Sequence, residues 1–286
     1  FLLFSFCLSR RSVRTAMKPN EVLVYDNRLF FLATMHFDDS CEQVVANLLD
    51  HHDFGCAMFE LDENRYRELV LLHDQPDKPL NTQEHKRPIL TRENPTISNA
   101  EVAEKRNQKA GQTNSSIDSH TSSDPQNSQN FTDHLFSLQQ DMGKLMGITP
   151  GIDMFKIVGL LKARSIPVQF IDLPFAQTIE KINDSEKAGS QESSELVSTM
   201  KQDPIEKKDI ELMFEELEDP DFIGQILSEF RKTYPGLFDI LVSDRNEHMA
   251  SEIYKYASAH PQEKLLVVTG AAHSQDLYEL VKAKKQ

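Results

Sequence analysis

The chain has 286 residues, 39% of them hydrophobic and none of them Trp, with a formal net charge of −14 and a pI near 5.2. That length suits one large or two modest domains, and the apolar content is too low for a membrane bundle. The acidity argues against nucleic acid as a partner, because phosphate binding needs Lys and Arg clustered on a folded surface. No stretch approaches the roughly 18 consecutive apolar residues of a spanning helix. Cys7, Cys41 and Cys56 are odd in number and lack C-x-x-C spacing, so neither a disulfide framework nor a zinc knuckle is indicated, and a reducing, cytoplasmic setting is expected.

Residues 1–16 read as a leader or as the fragment of a signal or anchor. Phe1 to Leu8 is apolar and is followed by Arg10-Arg11, which would associate the chain with a membrane if it were a truncated anchor. Met17, directly before Lys18-Pro19-Asn20 and the strand-like Val22 to Tyr25, has the place of a natural start.

Residues 17–73 read as a βαβα unit. Asp26-Asn27-Arg28 turns between the opening strands, Leu29 to Leu32 runs on to His36, Ser40 caps a helix from Cys41 to Asp50, and Cys56 to Phe59 runs into Glu60. Asp62-Glu63-Asn64-Arg65 then suits a helix start, with Tyr66, Leu69, Val70 and Leu72 on the buried side. From 74 to 130 Pro, Asn, Gln, Ser and Thr dominate. Such a segment buries too little surface to offset chain entropy, so it reads as a disordered insertion, which limited proteolysis should cut first.

Residues 131–286 complete the same domain. A helix from Thr132 to Met146 is broken by Gly147-Ile148-Thr149-Pro150-Gly151, and Asp153 caps the next, to Ser165. Val168 to Ile171 is a strand ending at Asp172, followed by a helix from Pro174 to Ile182 and a polar connection over 184–204. Helical patterns cover Ile205 to Leu217, Asp221 to Thr233 and Asn246 to Ala259. Lys264 to Thr269 is a strand, the small-residue turn after it carries His273, and Ser274 to Lys284 closes the chain as a helix.

Helices between strands imply an α/β fold with a mainly parallel sheet and helices on both faces, and ligands of such sheets gather in a cleft at the carboxyl ends of the strands. Glu60, Asp172, His36 and His273 all follow strand ends. Two imidazoles and the Glu60 carboxylate have the composition of a metal centre with open positions for water; a polar residue that merely satisfies a strand end is the competing reading. Asp172 has two readings, helix cap or site residue. Arg245 stands at a helix start, where its charge opposes the dipole, and either clamps a substrate carboxylate or an oxyanion, or forms a salt bridge with Glu60 or Asp244.

Several segments resemble motifs of the TraB family, which includes the pheromone-shutdown protein PrgY. Ala33-Thr34-Met35-His36 with Ser40 is similar to its G-T-x-H-x-x-x-S opening, Glu60-Leu61-Asp62 with Arg65 to its E-L-x-x-x-R segment, and Gly147 to Met154 to its G-x-x-P-G-x-E-M turn. Ile171-Asp172 resembles the start of its D-R motif, Asp244-Arg245-Asn246 with Met249-Ala250 its E-R-D-x-Y-M-A block, and Val267 to His273 its closing V-V-G-x-G-H. Ala33, Asp153, Leu173, Asp244 and Asn246 depart from the motif residues. The family is similar in turn to the TIKI metalloproteases. The resemblance implies a metal-dependent hydrolase acting on peptides, with a divalent ion (Mn, Co or Zn) at His36, Glu60 and His273. Arg245 would stabilise developing charge, and Arg65 and Asp172 would face the substrate. A protein that binds and sequesters a peptide or small ligand in the same cleft is the alternative, and an esterase-like reaction with His as base is a third.

Overall fold

Leu29 to Thr34 is a strand with every side chain buried, which is what a strand covered on both faces requires. In the computed structural model this is β2 (Leu29–Thr34), preceded by β1 (Val22–Tyr25) and followed in chain order by α1 (Ser40–His51), β3 (Phe54–Phe59), α2 (Glu63–Asp74), α3 (Ile152–Ala163), β4 (Val168–Phe170), α4 (Phe175–Lys187) and α5 (Glu192–Met200). Then come α6 (Pro220–Thr233), α7 (Pro235–Phe238), a π-helical segment (Asp239–Ser243), α8 (Asp244–Ala259), β5 (Lys264–Gly270) and α9 (Ala271–Lys284). The structure describes residues 16–35, 40–74, 131, 134, 137, 144, 151–200, 208, 212 and 215–284. His36, the insertion expected over 74–130 beyond Asp74, and most of the helices expected over 132–146 and 205–217 lie outside the described residues.

The sheet has the order β1-β2-β5-β3-β4. β1 pairs antiparallel with β2 through a tight turn in which Asp26 and Asn27 both have positive φ and Arg28 N–H donates to the Tyr25 carbonyl. The other pairings are parallel, and β5 lies between β2 and β3, so that Leu265 sits opposite both Leu29 and Cys56. Side chains alternate between two helical layers. Phe30, Leu32, Ala57, Phe59, Leu266 and Val268 meet Val45 of α1 and Met154, Ile157, Val158 and Leu161 of α3. Leu29, Phe31, Cys56, Met58, Leu265 and Val267 meet Met249, Ala250 and Ile253 of α8 and Leu277 and Val281 of α9. The fold is thus α/β with a mainly parallel sheet and helices on both faces.

Four local expectations are corrected. The first turn of α3 is entered through Gly151, whose φ of 80° is the left-handed conformation that favours glycine, while Asp153 is buried inside that turn. Pro174 is the residue before α4 rather than its first residue. The segment over 184–204 is not a mere connection: α4 runs to Lys187, and α5 buries Leu196 and Val197 against Ile182, Phe230, Leu237 and Phe238, so two apolar residues suffice once a tertiary partner exists. Finally, β5 passes directly into α9, which starts at Ala271, so His273 lies in the first turn of a helix.

Candidate site at the carboxyl ends of the parallel strands

Backbone pairing continues past the formal ends of β3 and β4 and carries two carboxylates to one edge. Glu60 N–H donates to the Val268 carbonyl of β5 at 3.0 Å, Ile171 N–H to Phe59 at 3.0 Å, and Asp172 N–H to Leu61 at 3.1 Å. Glu60, Asp62 and Asp172 are all buried. At the end of β5, Gly270 N–H donates to Glu60 Oε2 at 2.7 Å, which fixes the carboxylate and directs Oε1 across to the first turn of α9. That turn is pinned from below by Ser274, whose hydroxyl lies 2.8 Å from Thr269 Oγ1 and donates to the Gly270 carbonyl at 2.9 Å. His273 Nε2 stands 3.3 Å from Glu60 Oε1.

Arg245 enters from α8. The chain is helical without a break from Pro235 through the π-helical segment into α8, so Arg245 is not at a free helix terminus and the dipole conflict expected from sequence does not arise. Single widened turns of this kind recur beside functional residues. Each N–H of the guanidinium has a partner. Nε donates to Asp172 Oδ1 at 2.9 Å, Nη2 to Glu60 Oε1 and Asp172 Oδ2, each at 2.6 Å, and Nη1 to the Leu241 carbonyl of the widened turn at 3.0 Å, while Nη1 also faces His273 Nε2 at 3.3 Å. Of the readings open for Arg245, the salt bridge with Glu60 is present and a second one runs to Asp172; Asp244 pairs instead with Lys181 at 2.5 Å.

Arg65 continues the ladder. It donates through Nη2 to Asp172 Oδ2 and through Nε to Asp62 Oδ2 at 2.8 Å, and Asp62 caps α2 by accepting from Asn64 and Arg65 N–H at 2.8 and 3.1 Å. The order Asp62, Arg65, Asp172, Arg245, Glu60, His273 is therefore one continuous polar chain. Asp172 accepts from its two arginines and from Leu173 N–H, and the residue at the N-terminus of α4 is Pro174, so Asp172 does not cap that helix. Burial alone would raise the Asp172 carboxyl, but the charges and hydrogen bonds of Arg245 and Arg65 outweigh it and hold it well below the usual carboxylate range. Burial would likewise lower Arg245, and Asp172 and Glu60 drive it above its ordinary value instead.

Two guanidiniums thus meet three buried carboxyl groups beside an imidazole. Arg245 has spent its donors inside the protein, whereas Arg65 Nη1 has no hydrogen-bond partner among the described residues and its side chain is 29% exposed. Among the described residues no group of three His, Cys, Asp or Glu side chains is placed to hold a metal ion. Two of the three expected donors, Glu60 and His273, are adjacent, and their separation of 3.3 Å suits neighbouring donors that each lie about 2.0–2.2 Å from one ion. The third, His36, is outside the described residues.

Two residues of this site, Asp62 and Asn246, escaped the sequence reading as site residues. Asp62 carried a usable signal, since it stands two residues after Glu60 and opens the helix start that carries Arg65. Asn246, whose Oδ1 is 2.8 Å from His273 Nδ1, had only its position beside Arg245. No helix among the described residues is long and apolar enough to cross a membrane.

Among curated proteins the chain is similar to an uncharacterized protein of Methanocaldococcus jannaschii, 25% identical over 169 residues that cover 53% of this chain and 41% of that protein. The chain thus matches less than half of that relative's length. The model of the TraB/PrgY/gumN family matches residues 26–284, a span that contains Glu60, Arg65, Asp172, Arg245 and His273 as well as every strand but the first. With nearly the whole chain matched, the protein belongs to the TraB/PrgY/gumN family.

Proposed function

We propose that this protein is a metal-dependent hydrolase that acts on peptides at the carboxyl ends of β3, β4 and β5. The observation that carries the reading is the approach of Glu60 Oε1 to His273 Nε2, a carboxylate and an imidazole held 3.3 Å apart in a buried, hydrogen-bonded frame. His36, Glu60 and His273 would hold a divalent ion (Mn, Co or Zn), which when bound supplies Lewis acidity toward a carbonyl and toward water. The chain's own residues do the rest. Gly270 N–H and Arg245 fix both oxygens of Glu60, so the carboxylate needs no reorganisation as charge develops. Arg245 acts on the reaction through Glu60 and Asp172, the groups its donors reach. Arg65, with open donors at the exposed end of the same ladder, is the group suited to take a carboxylate or carbonyl of the bound peptide.

A second reading is a cleft that retains a peptide without cutting it, and it is favoured by one observation: every donor of Arg245 is consumed within the protein, as in a structural ion-pair network. Metal analysis of the purified chain, joined to cleavage of a broad peptide pool with Mn, Co or Zn added, separates the two. A hydrolase binds near-stoichiometric metal and cuts, and Glu60→Gln abolishes turnover while ligand affinity stays within about tenfold. Peptide binding without cleavage under every metal, weakened by the same substitution, sinks the hydrolase.

A further inference from the structure

Asn246 and His273 are both buried, and buried polar groups are paired in nearly every protein. His273 Nδ1 lies 2.8 Å from Asn246 Oδ1, and Nε2 lies 3.3 Å from Arg245 Nη1 and 3.3 Å from Glu60 Oε1. We infer that Asn246 is a positioning residue that fixes His273 in the Nδ1–H tautomer, with the lone pair of Nε2 turned toward Glu60 and Arg245.

The assignment follows from what each neighbour is able to do. A guanidinium only donates, so the nitrogen facing Arg245 Nη1 is best satisfied as an acceptor. Glu60 Oε1 pulls the other way, but it already accepts a much shorter bond, 2.6 Å, from Arg245 Nη2. With no proton on Nε2, the proton sits on Nδ1, and the atom of Asn246 at 2.8 Å must then be its oxygen rather than its nitrogen. An amide oxygen completes this arrangement without bringing a charge, since it accepts Nδ1–H. Because Arg245 and Asn246 are consecutive at the start of α8, one helix sets both contacts to His273, one on each ring nitrogen.

The benefit to hydrolysis rests on the reading of His273 as a ligand or base; the tautomer does not, and it is measured without turnover. Nitrogen-15 spectra of histidine side chains in the full chain, recorded without added metal at pH 8, where an unperturbed imidazole is neutral, separate the two tautomers directly. The His273 signal among ten histidines is assigned by its loss in His273→Gln. The wild type is expected to show Nδ1–H, Asn246→Leu, which has nearly the same shape and no acceptor, to show Nε2–H or an average, and Asn246→Asp to restore Nδ1–H. A wild type with the proton on Nε2, or a folded Asn246→Leu with an unchanged pattern, overturns the proposal. If Asn246→Leu does not fold, the wild-type spectrum and Asn246→Asp decide the matter by the same criteria. Tautomer control without cleavage of any peptide would leave this inference standing and remove the hydrolase.

Discussion

Replacing Arg245 by alanine would remove the guanidinium that bridges the buried Glu60 and Asp172 and leave Asp172 with Arg65 alone, and removing one partner of a buried pair costs about 3–5 kcal/mol. Urea unfolding of Arg245→Ala is expected to show a loss of that size, and a loss under about 1 kcal/mol would mean that the pair is solvated and worth no more than a surface bridge. The same ladder has an acid limit. Asp172 has its pKa lowered in the fold, so below about pH 4 the unfolded chain binds the proton first and stability falls as pH falls; above that the contribution is complete. The raised pKa of Arg245 works in the opposite direction and would cost stability only in strong alkali. The difference in unfolding midpoint between the wild type and Asp172→Asn, which is less stable at neutral pH, should therefore be flat from pH 8 to 5 and shrink below 4. Arg65 is set apart by its exposure. If it holds the peptide, Arg65→Ala raises KM with kcat nearly kept, whereas equal loss in kcat and kcat/KM would place its action in the transition state.

Glycine provides the sharpest contrast among the elements, because two of them belong to α3 with opposite requirements. Gly151, before the helix, has φ of 80°, and an added Cβ would come within 3.1 Å of Leu69, so Gly151→Ala should cost about 1–2 kcal/mol. Gly159, inside the helix and exposed, has nothing within 4 Å of an added Cβ, and Gly159→Ala should gain about 0.5–1 kcal/mol. Thermal melts of the two variants, moving in opposite directions, check the pair. The strands of the parallel core were legible because Leu29 to Leu32, Cys56 to Phe59 and Leu265 to Val268 are uninterrupted apolar runs, the mark of strands covered on both faces. Helix α5 was not, since its stability comes from Leu196 and Val197 meeting distant residues and from Glu192, which accepts from Gly236 and Leu237 N–H at 3.2 and 2.7 Å. The start of α8 was misplaced for a related reason: a widened turn joins it to α7, and no propensity scale marks a π-helical segment. Of the site, Glu60, Asp172 and His273 were readable as strand-end residues. The salt bridge of Arg245 with Glu60 was one of the open readings; its second pairing, with Asp172, was not legible, because it depends on which way α8 lies over the sheet.

The whole molecule is organised around a strand that arrives late in sequence. β5 pairs with both β2 and β3, and β4 pairs with β3, so residues on either side of the segment 75–130 build one sheet together. Chains 1–74 and 131–286 produced together should therefore copurify and melt in a single transition, and recovery of either half alone as a folded monomer would contradict this. The strand order has a further consequence during synthesis. A ribosome that has finished β3 must add about two hundred more residues before β5 exists, roughly ten to forty seconds at ordinary elongation rates. For that interval the inner edges of β2 and β3 are open and apolar, and they are the edges most prone to pair with another nascent chain. The demand on chaperones is thus written into the topology, and it falls on the first quarter of the chain while Glu60 waits for the glycine and histidine that complete its surroundings.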